Sequence, residues 1–330
     1  MTIINGIEID HIEYKVNLEK QAIENNDPIE PKLHVIIVIS NPCLFARRYI
    51  LLKEFVKRME HEESNVLLYV VELAYENQRF LVTDAKNKRH LQLRTKTPLW
   101  HKENMINLGV KHLLPKNYKA FAWIDADLEF DSSTWALDTL KILNGTRDIV
   151  QIFSHCADLD SDELTMKVHN SAGYQYSKQK QYSSMGPNFW HPGFAWAITR
   201  KAYERMGGLY ELGILGSGDH IMLHSLLGNG LNAVNPESTE EYKDSIVEFQ
   251  QKMRGLRFGY VPGLIRHYYH GSKKNRFYSE RWRILLDHGY APPLHVKHDS
   301  NGILVPTKEF PEGLKEDIMG YFLSRNEDEP

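Results

Sequence analysis

Ala120-Phe-Ala-Trp-Ile-Asp125-Ala-Asp127-Leu-Glu129 is the stretch on which the reading of this chain turns. An unbroken apolar run followed by alternating acids reads as a buried strand that delivers carboxylates at its carboxyl end. Upstream, His34-Val-Ile-Ile-Val-Ile39 is a β-branched run bounded by Ser40-Asn41-Pro42, and Asn65-Val-Leu-Leu-Tyr-Val-Val-Glu72 is a second one. Their continuous apolar character suits strands covered on both faces. Between them, Ile50, Leu51, Phe55 and Met59 recur at near-helical spacing and predict a helix over 45–61. Further helices are expected over 99–114, closed by Pro115, and over 134–143, with another strand in Asp148-Ile-Val-Gln-Ile-Phe153. This alternation predicts an α/β protein: a Rossmann-like, mostly parallel sheet flanked by helices. Ligands of such sheets sit beyond the carboxyl ends of the strands, where Asp125 and Asp127 fall.

The second half is less regular. Tyr174 to Met185 reads as a long mobile loop. Gly193-Phe-Ala-Trp-Ala-Ile198 reads as a strand, and a helix over 200–206 is closed by Gly207-Gly208. Residues 1–31 read as an N-terminal lead-in segment or small hairpin.

Composition narrows the function. The 40 Lys+Arg against 43 Asp+Glu give a formal net charge of −3, which argues against a nucleic-acid partner. The two cysteines, Cys43 and Cys156, form no CxxC pair and fit a reducing compartment. No apolar run approaches the ~20 residues of a membrane span, so the expectation is a cytoplasmic protein with no transmembrane anchor.

Three clusters carry chemistry. Asp125 and Asp127, at i and i+2, project to one side and suit a hard divalent ion held beside substrate phosphates; solvated acids in a strand-end turn share that spacing. In Leu264-Ile-Arg-His267-Tyr-Tyr-His270-Gly271-Ser272, two histidines stand before a glycine turn, as metal ligands or as hydrogen-bonded core residues. One of them with the carboxylates would favour Mn²⁺ or Mg²⁺ over zinc. Gly213-Ile-Leu-Gly-Ser-Gly218-Asp219-His220 lacks the Lys-Ser/Thr of a phosphate loop. Asp219 is there either an N-cap or a carboxylate base held at a cleft.

In order along the chain, these blocks resemble the β-1,4-galactosyltransferase family. Trp100-His-Lys-Glu-Asn-Met-Ile-Asn107-Leu-Gly109 followed by Trp123-Ile-Asp125-Ala-Asp127 is similar to the family's Leu-Asn-Val-Gly helix and Asp-Val-Asp. Trp190-His-Pro-Gly193-Phe-Ala-Trp, then Met206-Gly-Gly208 and Gly216-Ser-Gly-Asp219, is similar to its acceptor block. Ile265-Arg266-His267 resembles the Ile-Arg-His that supplies its metal-binding histidine, and Val35 to Ile39 with Pro42 and Arg47 resembles its base-binding strand and loop. The acceptor loop departs from the family, since Ile214-Leu-Gly216-Ser stands in place of Trp-Gly-Trp and Gly218-Asp219 in place of Glu-Asp. The turn from His270 to Arg276 is closer to the His-Gly-Ser ending of other GT-A enzymes.

The resemblance implies a GT-A fold over 32–290, with a nucleotide-sugar half at 32–155, an acceptor half at 156–290 and a C-terminal extension at 291–330. It implies Mn²⁺ (or Mg²⁺), a UDP-sugar donor and a glycan or other hydroxyl acceptor. Asp125, Asp127, His267 and His270 are the metal candidates. Pro42, Arg47, Asn107, Asp125, Lys273 and Arg276 are assigned to the donor, and Trp190, His191, Gly193, Asp219 and His220 to the acceptor. Asp219 is the expected base of an inverting transfer, with His220 as its fallback. A nucleotidyltransferase and a non-catalytic sugar-binding protein of the same fold are the alternatives.

Overall fold

The computed structural model describes residues 2–4, 7–9, 17, 20, 24 and 30–329, except 62, 187, 278 and 279. Most of the expected 1–31 segment lies outside the described residues; within it, β1 (Thr2–Ile4) pairs antiparallel with β2 (Ile7–Ile9). The chain continues through β3 (Leu33–Ser40), α1 (Ala46–His61), β4 (Val66–Tyr75), β5 (His90–Thr95), α2 (Lys102–Leu113) and β6 (Ala120–Ile124). Next come β7 (Leu128–Phe130), α3 (Trp135–Leu143), β8 (Ile149–Gln151), β9 (His155–Leu159), β10 (Thr165–Ser171) and α4 (Ala172–Ser177). They are followed by β11 (Trp190–His191), β12 (Ala195–Thr199), α5 (Arg200–Met206), α6 (Gly218–Leu226), α7 (Glu240–Met253), β13 (Phe258–Tyr260) and β14 (Leu264–His267).

Seven strands form the main sheet, in the order β13-β8-β12-β6-β3-β4-β5. All its pairings are parallel except those of β12, which runs against both β6 and β8. Its central strands β3, β4 and β6 are buried on both faces, as their apolar runs require. In β3, Val35, Ile37 and Ile39 pack on one side with Leu52 and Phe55 of α1 and Trp135 of α3. Ile36 faces the other side, against Met105 and Ile106 of α2. Helix α2 lies close on the sheet because of Gly109, where a Cβ would stand 3.0 Å from Val71 and 3.1 Å from Ile36.

The chain leaves β3 toward β4 and β5 and then returns to β6 on the opposite side of β3. The carboxyl ends of β3 and β6 therefore flank a topological switch point, the usual crevice for ligands in such sheets. Because β12 is antiparallel, its start lies at that same edge: Ala195 pairs with Ile124, and Asp125 N–H donates to Phe194 O at 2.9 Å. A second, five-stranded sheet, β11-β10-β9-β14-β7, closes one end of the crevice.

Two local expectations change. The Tyr174–Met185 stretch is not loop throughout, because α4 takes its first residues; Ser171 Oγ caps the helix by accepting from Tyr174 N–H at 3.0 Å. Asp219 is not an N-cap: Ser217 holds that position and Asp219 lies in the first turn of α6. Residues 291–329 pack onto the body through the helix Leu314–Ser324, whose Leu314 and Ile318 are fully buried. Among the described residues no helix is long and apolar enough to cross a membrane.

Candidate active site

At the switch point lies a cavity of about 880 Å³, within the range of small-ligand sites. Strand register assembles its central cluster. β14 pairs antiparallel with β7, setting His267 opposite Leu128, one residue beyond Asp127, and Tyr268 N–H donates to Asp127 O at 2.8 Å. On its other edge β14 runs parallel to β9 with His267 in register with Asp158.

Asp127 Oδ2 thus lies 3.0 Å from His270 Nε2 and 3.8 Å from His267 Nε2, and the two Nε2 atoms are 3.2 Å apart. His267 Nδ1 donates to Asp158 Oδ1 at 2.7 Å, which orients the ring with Nε2 toward Asp127. Asp158 is also bonded by the Lys273 ammonium. Burial would raise the Asp158 carboxyl, but His169, His267 and Lys273 hold it well below the carboxylate range. Burial likewise pushes Asp127 up, and His270, His267 and Arg276 outweigh it.

This cluster fits a divalent cation. Asp127 Oδ1 is buried with no hydrogen-bond partner, and two imidazole nitrogens converge beside the same carboxylate. Buried oxygens are rarely left unpaired without a missing ion or water. Imidazole ligands favour a transition ion such as Mn²⁺ over Mg²⁺.

Opposite this cluster, Lys102 opens helix α2. Its ammonium is ion-paired with Asp125. Burial alone would lower the Lys102 pKa; the carboxylates of Asp125, Asp219 and Glu103 outweigh it and keep the ammonium charged. The Asp219 carboxylate rests on Gly193, where a Cβ would stand only 2.8 Å from Oδ2. His191 stacks on Phe194 at 3.9 Å, and burial pushes its pKa well down. Burial, then His224, pushes His220 down to about 4.

Glu103 is buried against Gly218, and burial raises its carboxyl from 4.5 to about 7 despite Lys102. Between those two values the native state keeps a proton that the unfolded chain has released, so stability falls as pH rises through the window. Glu103→Gln should escape that loss. Urea unfolding at pH 5 and pH 8 should show the variant gaining about 2 kcal/mol on the wild type.

Asp125, Asp127, His267, His270, Pro42, Lys273, Arg276, His191, Gly193, Asp219 and His220 all line the cavity. Three expected residues do not. Asn107 is consumed elsewhere: its amide donates to Leu209 O and Glu211, and its Oδ1 accepts from Leu209 N–H and the Tyr203 hydroxyl. It ties α2 to the loop after α5. Arg47 lies 5.3 Å over the Tyr269 ring, while Arg48, about 100° further round α1, turns inward. Trp190 is buried in the core against Tyr182 instead of forming an acceptor wall; Trp100 lines the cavity. Asp125 lines the cavity, pairs with Lys102 and stands outside the Asp127–His267–His270 group.

Sequence reasoning missed Lys102, Asp158, Arg48 and Arg325. Lys102 is part of the quoted Trp100–Gly109 block and was within reach there. No family model matches this chain, and a search of curated proteins likewise found no match.

Proposed function

We propose that this protein is a metal-dependent glycosyltransferase of the GT-A type. It would move a sugar from a nucleotide-diphosphate donor, with UDP-sugars the first class to test, to a hydroxyl acceptor with inversion. The observation that carries this reading is the convergence of Asp127, His267 and His270 at the switch point, with cations on one side and Asp219 on another. A bound divalent ion supplies Lewis-acid stabilisation of the charge on a departing diphosphate.

The rest of the work falls to the chain's own side chains. Asp127, His267 and His270 would hold the ion, and Asp158 fixes the tautomer of His267. Asp158→Asn should therefore weaken Mn²⁺ binding by roughly 10- to 100-fold, read by calorimetry. Lys273 and Arg276 supply positive charge toward phosphate oxygens. Asp219, beside Lys102 and packed on Gly193, would take the acceptor hydroxyl proton. His191 and Phe194 offer an apolar, uncharged surface beside it.

Two imidazoles and one carboxylate also form the donor set of non-haem Fe(II) oxygenases, and this is the second reading the geometry admits. The basic groups beside the cluster favour a phosphate ligand over dioxygen chemistry. A panel of nucleotide-sugars with Mn²⁺, scored by released nucleoside diphosphate, tests the proposal. Release from none of them, with or without hydroxyl acceptors, would remove it.

A further inference from the structure

Segment 325–328 lies against the metal-binding candidates. Asp328 accepts from Ala46 N–H at 2.9 Å and Arg47 N–H at 2.8 Å, satisfying free amides at the start of α1. Gly271, in the left-handed region at φ 88°, lets the backbone of Glu327 approach so closely that a Cβ would stand 2.9 Å from its Cα. These two anchors hold the Glu327 carboxylate, fully buried, against Arg48 and 2.7 Å from Arg325 Nη2, with His270 Nδ1 3.8 Å away.

The positive charge here exceeds what Glu327 can neutralise. Arg325 is only 3 % exposed, its guanidinium lies 5.2 Å over the Trp100 ring, and it lines the cavity. Arg276, also lining the cavity, lies with Nη2 2.9 Å from His270 Nδ1. Both guanidinium groups keep a buried Nε–H with no partner. Burial, and then Arg276, pull the Arg325 pKa down to about 10, as expected of a cation short of anions. Unpaired buried donors on two neighbouring cations point to an anionic ligand with several acceptor oxygens.

We infer that Arg325 and Arg276 form a diphosphate-binding pair beside the Asp127–His267–His270 cluster, and that Glu327 is the internal carboxylate with which the diphosphate competes. This rests on the nucleotide-diphosphate reading above and adds to it a residue and a counter-charge from segment 325–328. Arg325 binds by charge-assisted hydrogen bonds; Glu327 holds Arg325 and Arg48 in place when no anion is present.

The test titrates inorganic pyrophosphate into the full chain in EDTA, so that the arginines are read apart from any metal. Arg325→Gln should weaken binding by roughly 10- to 100-fold, the range for losing a charge-assisted hydrogen bond. Glu327→Gln should tighten it. A purely structural role for the pair predicts that both variants weaken binding alike, and that result would overturn the inference. So would wild-type affinity in Arg325→Gln, or no pyrophosphate binding by the wild type. If Arg325→Gln fails to fold, Glu327→Gln decides alone, since unchanged or weaker binding overturns the pair. Pyrophosphate binding that behaves as expected in a protein that cleaves no nucleotide-sugar would leave this site standing and remove the transferase reading.

Discussion

Asp127→Asn is expected to lower Mn²⁺ affinity by more than about 100-fold, beyond the loss typical of a group that only supports a ligand. Among the described residues the carboxylate is the single anion facing both His267 and His270, at 3.8 and 3.0 Å, and its second oxygen has no hydrogen-bond partner. Asparagine keeps the shape and one acceptor oxygen but removes the charge that makes the two imidazoles and the acid a cation site. The fold should tolerate the change, because Asp127 follows β6 and its backbone bond to Tyr268 N–H is untouched. Mn²⁺ titration by calorimetry, with a thermal melt of the same sample, checks both halves. Unchanged Mn²⁺ affinity would move the metal away from Asp127.

Asp219→Asn is expected to cut glycosyl transfer by roughly 10²- to 10⁴-fold, the usual cost of a lost general base, while leaving Mn²⁺ and nucleotide affinity near wild type. Asp219 sits in the first turn of α6, its Oδ1 accepts from His220 N–H at 2.8 Å, and its other oxygen packs on Gly193. Gly193 leaves room for the carboxylate, since a Cβ there would stand 2.8 Å from Oδ2. An asparagine in the same pose cannot accept the proton. Single-turnover rates and the anomeric configuration of the product, by NMR, read the outcome. Near-normal transfer, or retained configuration, would assign the base elsewhere, with His220 the next residue to test.

The central sheet was legible because burial on both faces leaves an unambiguous mark: β3, β4 and β6 are continuous apolar runs, and no partner is needed to see them. The short strands were not. β7, β9 and β14 have mixed polarity, and their places come from pairing across long separations, as in His267 with Asp158, 109 residues apart. That same pairing creates the histidine–carboxylate contact, so Asp158 carried no local signal. Arg47 and Arg48 are indistinguishable as letters, and only the helix phase of α1 separates them. Asn107 and Trp190 are residue types suited to binding, but polar satisfaction and core packing claimed them first. Segment 325–328, Arg-Asn-Glu-Asp, carries no motif in sequence, yet it holds Arg325 and Glu327 in the interior.

The most direct measurement is a calorimetric titration of UDP into the full chain with Mn²⁺ present, repeated in EDTA and with Asp127→Asn. Binding that Mn²⁺ tightens, and that falls back to the metal-free level in Asp127→Asn, is the predicted result. Affinity that is the same with and without metal, or no affinity for UDP or any other nucleoside diphosphate, would contradict the account.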